Sequence, residues 1–103
     1  MIEIIDNDLS VCNEEECYLL FYFTAKWCGP CQRIKPLLQK ISEGSDSSKL
    51  KVYMIDIDEN EDIAKEFNIR SVPTFYLYKK KELIGQTGGG DIKKVQELLQ
   101  SMK

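Results

Sequence analysis

Hydrophobic and polar positions change rhythm several times along this chain, and each change marks an element. Tyr18-Leu19-Leu20-Phe21-Tyr22-Phe23 is a continuous apolar and aromatic run. That pattern suits a strand buried on both faces in the middle of an α/β sheet. Leu50 to Ile57 alternates and is rich in branched residues, so it reads as a second strand, and Ile2 to Ile5 as a short one at the start. Ser71 to Tyr78 and Glu82 to Gln86 read as two more, joined through Lys79-Lys80-Lys81 as a hairpin. Between these runs the spacing turns helical. Ile34, Leu37, Leu38 and Ile41 predict a helix from about Cys28 to Ser42, with Pro36 inside it expected to cause a kink by removing one N–H bond. Glu59 to Phe67 predicts a short helix with Asp58 and Asn60 as its caps. A last helix, capped by Asp91, carries Ile92, Val95, Leu98, Leu99 and Met102. Asp6 to Glu16 reads as a short acidic helix, Asp6 or Asp8 being its candidate N-cap. Gly44 to Ser48 and Gly88-Gly89-Gly90 break the chain.

The resulting order is βαβαβα followed by ββα. Alternating strands and helices imply a sheet covered on both faces, and the hairpin makes it mixed rather than purely parallel. The 103 residues are expected to form one domain, residues 1–103, large enough for its own core and without internal repeats.

Composition removes several functions. A net charge of -3 leaves no electrostatic footprint for nucleic acid or anionic membrane. The first residues, Met1-Ile2-Glu3-Ile4-Ile5-Asp6, have neither a basic region nor a long apolar segment, so no signal peptide or membrane span is expected and the cytoplasm is the expected location. In a reducing compartment a cysteine pair cycles more readily than it staples. The chain has no histidine, which excludes Cys-His and Ser-His nucleophiles and every His-containing metal site.

What remains is Trp27-Cys28-Gly29-Pro30-Cys31, two thiols placed where the aromatic strand gives way to a helix. A cysteine at a helix start meets unpaired N–H groups and the positive end of the helix dipole, which favour thiolate over thiol. The second cysteine, one turn on, is placed to attack any mixed disulfide formed at the first. The pattern is that of a redox site. Cys12 and Cys17 read as small buried or half-buried residues, with a second dithiol or an intermolecular disulfide as the alternative. A single zinc site of all four cysteines is a poor fit, since a buried six-residue strand holds its ends roughly 17–20 Å apart. No cofactor or metal is expected.

Beyond the bare cysteine pair, the chain resembles the thioredoxin family over most of its length. The resemblance is carried by Phe23-Thr24-Ala25-Lys26-Trp27-Cys28-Gly29-Pro30-Cys31, Ile34-Lys35-Pro36, Asp56-Ile57-Asp58-Glu59-Asn60, Arg70-Ser71-Val72-Pro73-Thr74 and the Gly88 region. It implies a thioredoxin fold, a mixed sheet of about five strands flanked by helices on both faces. It implies that Cys28 attacks and Cys31 resolves, that Pro73 is cis and packs beside the pair, and that Val72 pairs with a substrate chain like an added strand. Trp27, Gly29, Pro30, Val72, Pro73 and Gly88 match the family's substrate-docking surface. The implied partners are protein disulfides and, as electron donor, a flavin- and NADPH-dependent reductase of the thioredoxin reductase type; a monomer is expected. Cys-Gly-Pro-Cys is typical of the reducing members, so the expected potential is near roughly -270 mV rather than the roughly -120 mV of a strong oxidant.

Two positions depart from the family. Its buried Asp corresponds to Tyr22, and the charged partner on the neighbouring strand corresponds to Met54. Tyr, with a reference pKa near ~10, is a poor base at neutral pH but can still donate a hydrogen bond. The change is expected to exchange a buried charge for packing and to slow the chemistry without abolishing it. Lys35, one turn past Cys31, is read as a solvated surface residue. The alternatives to a protein-disulfide reductase are a thioredoxin-fold binding module and a disulfide isomerase or oxidant.

Overall fold

The structure, a computed structural model, describes residues 1–12 and 16–102. Its elements are β1 (Ile2–Ile4), β2 (Tyr18–Thr24), α1 (Gly29–Gly44), β3 (Leu50–Asp56), α2 (Glu61–Glu66), β4 (Thr74–Lys79), β5 (Glu82–Gly88) and α3 (Ile92–Leu99). The aromatic run lies where its pattern requires. All seven residues of β2 are buried, and β2 is the middle strand of the order β1-β3-β2-β4-β5. It runs parallel to β3 and antiparallel to β4, so the sheet is mixed. β1 is parallel to β3, and β5 closes the hairpin with β4.

Strand alternation distributes β2 between two cores. Tyr18, Leu20 and Tyr22 face α1 and α3, where Ile34, Leu38, Val95 and Leu98 cover them. Leu19, Phe21 and Phe23 face the α2 side, with Ile63 and the rings of Phe67, Tyr76 and Tyr78. There the rings meet mostly edge-on or tilted at 5.4–6.4 Å between centroids, as between Phe21 and Phe67 at 5.8 Å. Both faces being apolar is why β2 shows no period of two.

The hairpin turn is shorter than the lysine run. Lys79 ends β4 and Glu82 starts β5, leaving Lys80 and Lys81, both at positive φ (53° and 65°). That is the backbone of a tight two-residue hairpin turn, which ordinarily selects Asn and Gly. Lys79 itself folds back, its Nζ 4.6 Å from the centre of the Tyr18 ring.

Three expectations are corrected. In place of the acidic helix from Asp6 to Glu16, the described residues show a turn at Asp6 and Asn7, both at positive φ, and one turn of 3-10 helix at Ser10–Cys12. Glu14 and Glu15 lie outside the described residues. Side chains take over the backbone bonding there. Asp8 accepts from the Ser10 N–H and hydroxyl, and Asn7 Oδ1 accepts from the N–H of Ile63 at 3.1 Å. The second correction concerns the caps of α2. Asn60 occupies the N-cap position without capping by its side chain. Its amide instead donates to the carbonyls of Ile4 and Asp56, and its Oδ1 accepts from the Asn7 N–H. The third N–H of α2 is capped by Asn7, 56 residues earlier in the chain, while Asp58 is used elsewhere. Finally, the strand expected from Ser71 begins at Thr74. Pro73 has no N–H to give to a ladder, and residues 71–73 form a loop beside the cysteine pair. The cap on α3 is as expected, Asp91 accepting from Lys93 N at 2.9 Å.

Candidate active site

The loop after β2 delivers Cys28 to the start of α1. Residues 25–27 cross from sheet to helix, Cys28 N donates to the Ala25 carbonyl at 3.2 Å, and Gln32 Nε2 donates to the same oxygen at 2.9 Å. Cys28 is the N-cap of α1, followed by Gly29 and by Pro30, whose missing N–H has no cost in the first turn. The Cys28 sulfur accepts from Cys31 N at 3.2 Å, the place that a serine or aspartate oxygen takes in an ordinary cap. A sulfur held there is bathed in the partial positive charge of the helix end.

Cys28 and Cys31 are joined as a disulfide, with their Cα atoms 5.2 Å apart. They are unequal. Cys31 is fully buried, while Cys28 keeps 5% of its surface open and has Pro30 and Gly29 exposed beside it. The pair packs with Ala25 and with the half-buried Ile57 and Val72.

The segments singled out in the sequence converge here from three places in the chain. The Val72–Pro73 bond is cis, and the Val72 carbonyl oxygen lies 3.6 Å from Cys28 Sγ. The Gly88–Gly90 segment closes the other side. Gly89 N donates to the Pro73 carbonyl at 3.0 Å, a Cβ on Gly88 would sit 3.4 Å from that oxygen, and one on Gly90 would stand 3.1 Å from Pro30 Cβ. Gly89 is at φ 89°, a left-handed conformation suited to glycine. Trp27 is 69% exposed beside the disulfide, tethered by a bond from its Nε1 to Asp58 Oδ2 at 2.8 Å. One residue further, Lys26 pairs with Glu59 at 2.9 Å. That hydrogen bond pushes the Lys26 ammonium above its ordinary pKa, though a solvent-exposed pair adds little to stability.

Residues that the sequence reading assigned otherwise or left out also meet here. Asp58 holds Trp27 rather than a helix end. The Arg33 guanidinium folds over Gly29, 3.2 Å from where a Cβ would stand. Gly90, not only Gly88, abuts the site. None of these carries a local signal, because each contact spans a fold boundary or depends on a side-chain direction. Tyr22 is fully buried and donates from Oη to the Cys31 carbonyl at 2.6 Å, and Met54 is half-buried alongside it in register. Lys35 is exposed, as expected. Cys12 and Cys17 lie outside the disulfide, both packed on the α2 side of the sheet. Burial pushes the Cys12 thiol up to about 11. Among the described residues no helix is long and apolar enough to cross a membrane.

This geometry recurs in known proteins. A thioredoxin family model matches residues 6–103. A thioredoxin of Malassezia sympodialis is 42% identical over 74 residues, which are 72% of this chain and 70% of that one. A thioredoxin of Coprinus comatus is 30% identical over 97% of this chain and 96% of its own. Among solved structures, the reduced thioredoxin pre-protein of Schistosoma mansoni superposes with a TM-score of 0.90 at 32% identity, covering 99% of this chain and 97% of that one. With its five-stranded mixed sheet and its cysteine pair at the helix start, the chain belongs to the thioredoxin family of protein-disulfide oxidoreductases.

Proposed function

We propose that this protein runs as a reductant of protein disulfides, with Cys28 as nucleophile and Cys31 as resolving thiol. The observation that carries the reading is the inequality of the pair. Cys28 is the sulfur at the helix start with surface left open, and Cys31 is fully buried behind it. In the reduced protein the Cys28 thiolate attacks a substrate sulfur, and Cys31 then attacks Cys28, releasing the substrate dithiol and leaving the pair oxidised. Trp27, Gly29, Pro30 and Gly88 offer exposed surface around the sulfur. Val72 and Pro73 give a carbonyl edge on which an extended substrate segment can lie. The pair is then returned to the dithiol by a thioredoxin reductase-type donor.

The linker supports the reducing direction. Gly29 and Pro30 supply no imidazole to stabilise a reduced Cys28 thiolate, which is what makes a strong oxidant strong. Tyr22 and Met54, where the family resemblance places a buried charge and its partner, support a slower resolving step rather than a different reaction.

The test is the equilibrium reduction potential of the Cys28–Cys31 pair against a glutathione buffer at neutral pH, in a Cys12→Ser/Cys17→Ser background. A value near roughly -270 mV is expected, and one above roughly -200 mV would move the reading to an isomerase or oxidant. Loss of disulfide-reducing activity in Cys28→Ser, with a partner-dependent function retained, would instead favour a binding module.

A further inference from the structure

The α2 face of the β4–β5 hairpin carries a groove that starts beside the cysteine pair and leads away from it. Val72, Tyr76 and Tyr78 all pack on this side of the sheet. Against Gly88 lies a hollow of about 290 Å³ whose walls include Thr74, Tyr76 and Gln86. It shares Tyr76 and Gln86 with a second hollow of about 380 Å³, which continues to Glu66, Phe67, Tyr78 and Leu83. β5 is an edge strand, so one side of the groove is open. Both hollows are near the lower end of small-molecule sites, about 300–1,000 Å³, a size that suits single side chains of an extended segment.

The far hollow has an aromatic floor. The Tyr78 ring stands at 81° to those of Phe67 and Tyr76, with centroids 6.0 and 6.4 Å away. The Tyr76 hydroxyl donates to the Phe67 carbonyl at 3.3 Å and ties the floor to the end of α2. A bulge in the β4–β5 ladder sets Leu83, not Ile84, opposite Tyr78, and Leu83 is left 44% exposed at the rim. Among the described residues Glu66 is the only charged side chain lining either hollow, and it has no ion-pair partner. Lys79 is turned to the opposite face, over Tyr18. Half-buried rings ending in an unpaired carboxylate match a lysine or arginine side chain, whose stem lies on the rings while its charge meets the carboxylate.

We propose that this groove is a distal substrate subsite: it receives the chain flanking the target disulfide and holds a lysine or arginine of that chain against Tyr78 and Glu66. The proposal rests on the reductant reading given above and narrows its substrates to disulfides with a basic residue in the flanking segment. Thr74 and Tyr78 are four strand residues apart, roughly 13 Å, so the basic residue lies about four to six positions from the substrate cysteine. Only one chain direction leads from Cys28 along the groove, so the basic residue is read on one side of that cysteine and not on the other.

The probes are symmetric disulfides of a short peptide, with one lysine placed about four to six positions before the cysteine, the same distance after it, or replaced by alanine. Each is mixed with the reduced Cys12→Ser/Cys17→Ser protein, and released peptide thiol is followed by acid quench and chromatography over a range of peptide concentrations. Lysine on one side only is expected to lower the half-saturating concentration about fivefold relative to alanine, the size of one cation–ring contact with an exposed ion pair, and to leave the maximal rate within about twofold. Glu66→Gln removes the carboxylate and Leu83→Lys sets a cation in the groove. Both positions are exposed, and either change should cut the lysine advantage to less than about twofold. A lysine advantage that survives both substitutions would overturn the subsite. So would equal gains from lysine on the two sides, which attraction to the net charge of -3 explains by itself. Equal half-saturation by all the peptides would overturn the subsite and leave the reductant standing, whereas a protein that reduces none of them would overturn the reductant reading and the subsite with it.

Discussion

At the scale of single residues, the four cysteines of this chain differ through their surroundings and not through their chemistry. Cys28 sits at the positive end of α1 with surface exposed, and Cys31 one turn on is closed off. Cys12 is half-buried on the opposite side of the sheet, and burial lifts its pKa from the ordinary 9.0 to about 11 against the pull of a hydrogen bond with Tyr53. At neutral pH Cys12 is therefore a thiol and not a nucleophile. In the reduced protein, limited iodoacetamide treatment at neutral pH should label Cys28 well before Cys12, as peptide mass mapping would register. Equal labelling of the two would mean that the helix terminus does not activate Cys28. The sequence marked Cys28 and Cys31 through their spacing and position and expected Cys12 to be buried or half-buried from its residue type, but the surroundings that lift its thiol are a tertiary property.

Among the elements, the most informative are those whose ends depend on residues far away. α2 is six residues long, too short to be stable alone, and its third N–H is capped by Asn7, 56 positions back. Asn7→Ala should destabilise the protein by about 1 kcal/mol, the usual worth of an N-cap, as read from the urea midpoint. Asp8→Asn serves as a control, since Asp8 bonds only within its own turn. The β4–β5 hairpin offers the opposite change. Lys80 and Lys81 occupy positive-φ positions that favour Asn and Gly. The double replacement Lys80→Asn/Lys81→Gly should raise stability by roughly 0.5–1 kcal/mol while leaving the disulfide exchange untouched. A lowered melting temperature would show that the lysine side chains contribute more than the turn conformation does. The acidic stretch from Asp6 could be taken for a helix because its composition suits one. Asn7 and Asp8 bond to the backbone in other ways, which composition does not reveal.

For the whole molecule, charge and burial together dictate a pH response. With no histidine in the chain, no side chain with an ordinary pKa between about 5 and 8 titrates, so the oxidised protein should show a flat melting temperature over that range. On the acid side, Asp8 and Asp46 each accept two bonds from a serine two residues on, which lowers their carboxyl pKa values below the ordinary 3.8. Such a depressed value stabilises the fold above the unfolded pKa, and this contribution is lost as pH falls below about 4. On the alkaline side the sign reverses for Cys12. Its raised pKa leaves stability intact below 9.0 and removes it as pH climbs toward about 11, where the unfolded chain is ionised and the folded one is not. Calorimetry from acid to alkaline pH should trace this plateau with two falling shoulders. Replacing Cys12 with Ser should remove part of the alkaline fall; an unchanged alkaline shoulder would show that Cys12 has no part in it.

What the sequence by itself determined is what depends on local pattern. The apolar run of β2, the helical spacing of α1 and α3, the cap at Asp91 and the order of strands and helices all follow from periods and propensities within a few residues of each other. So does the redox chemistry, because two thiols at a helix start need no distant partner to be recognised. Only the tertiary structure decided which chain segments meet at the sulfur. Val72 reaches Cys28 across more than forty residues, the Gly88–Gly90 loop closes on Pro73 and Pro30, Asp58 turns from capping a helix to holding Trp27, and Asn7 caps α2 from the end of the neighbouring strand β1. These contacts exist because the mixed sheet brings the ends of β1, β2, β3 and β5 and the start of β4 to one edge, and no window of sequence contains both partners of such a contact.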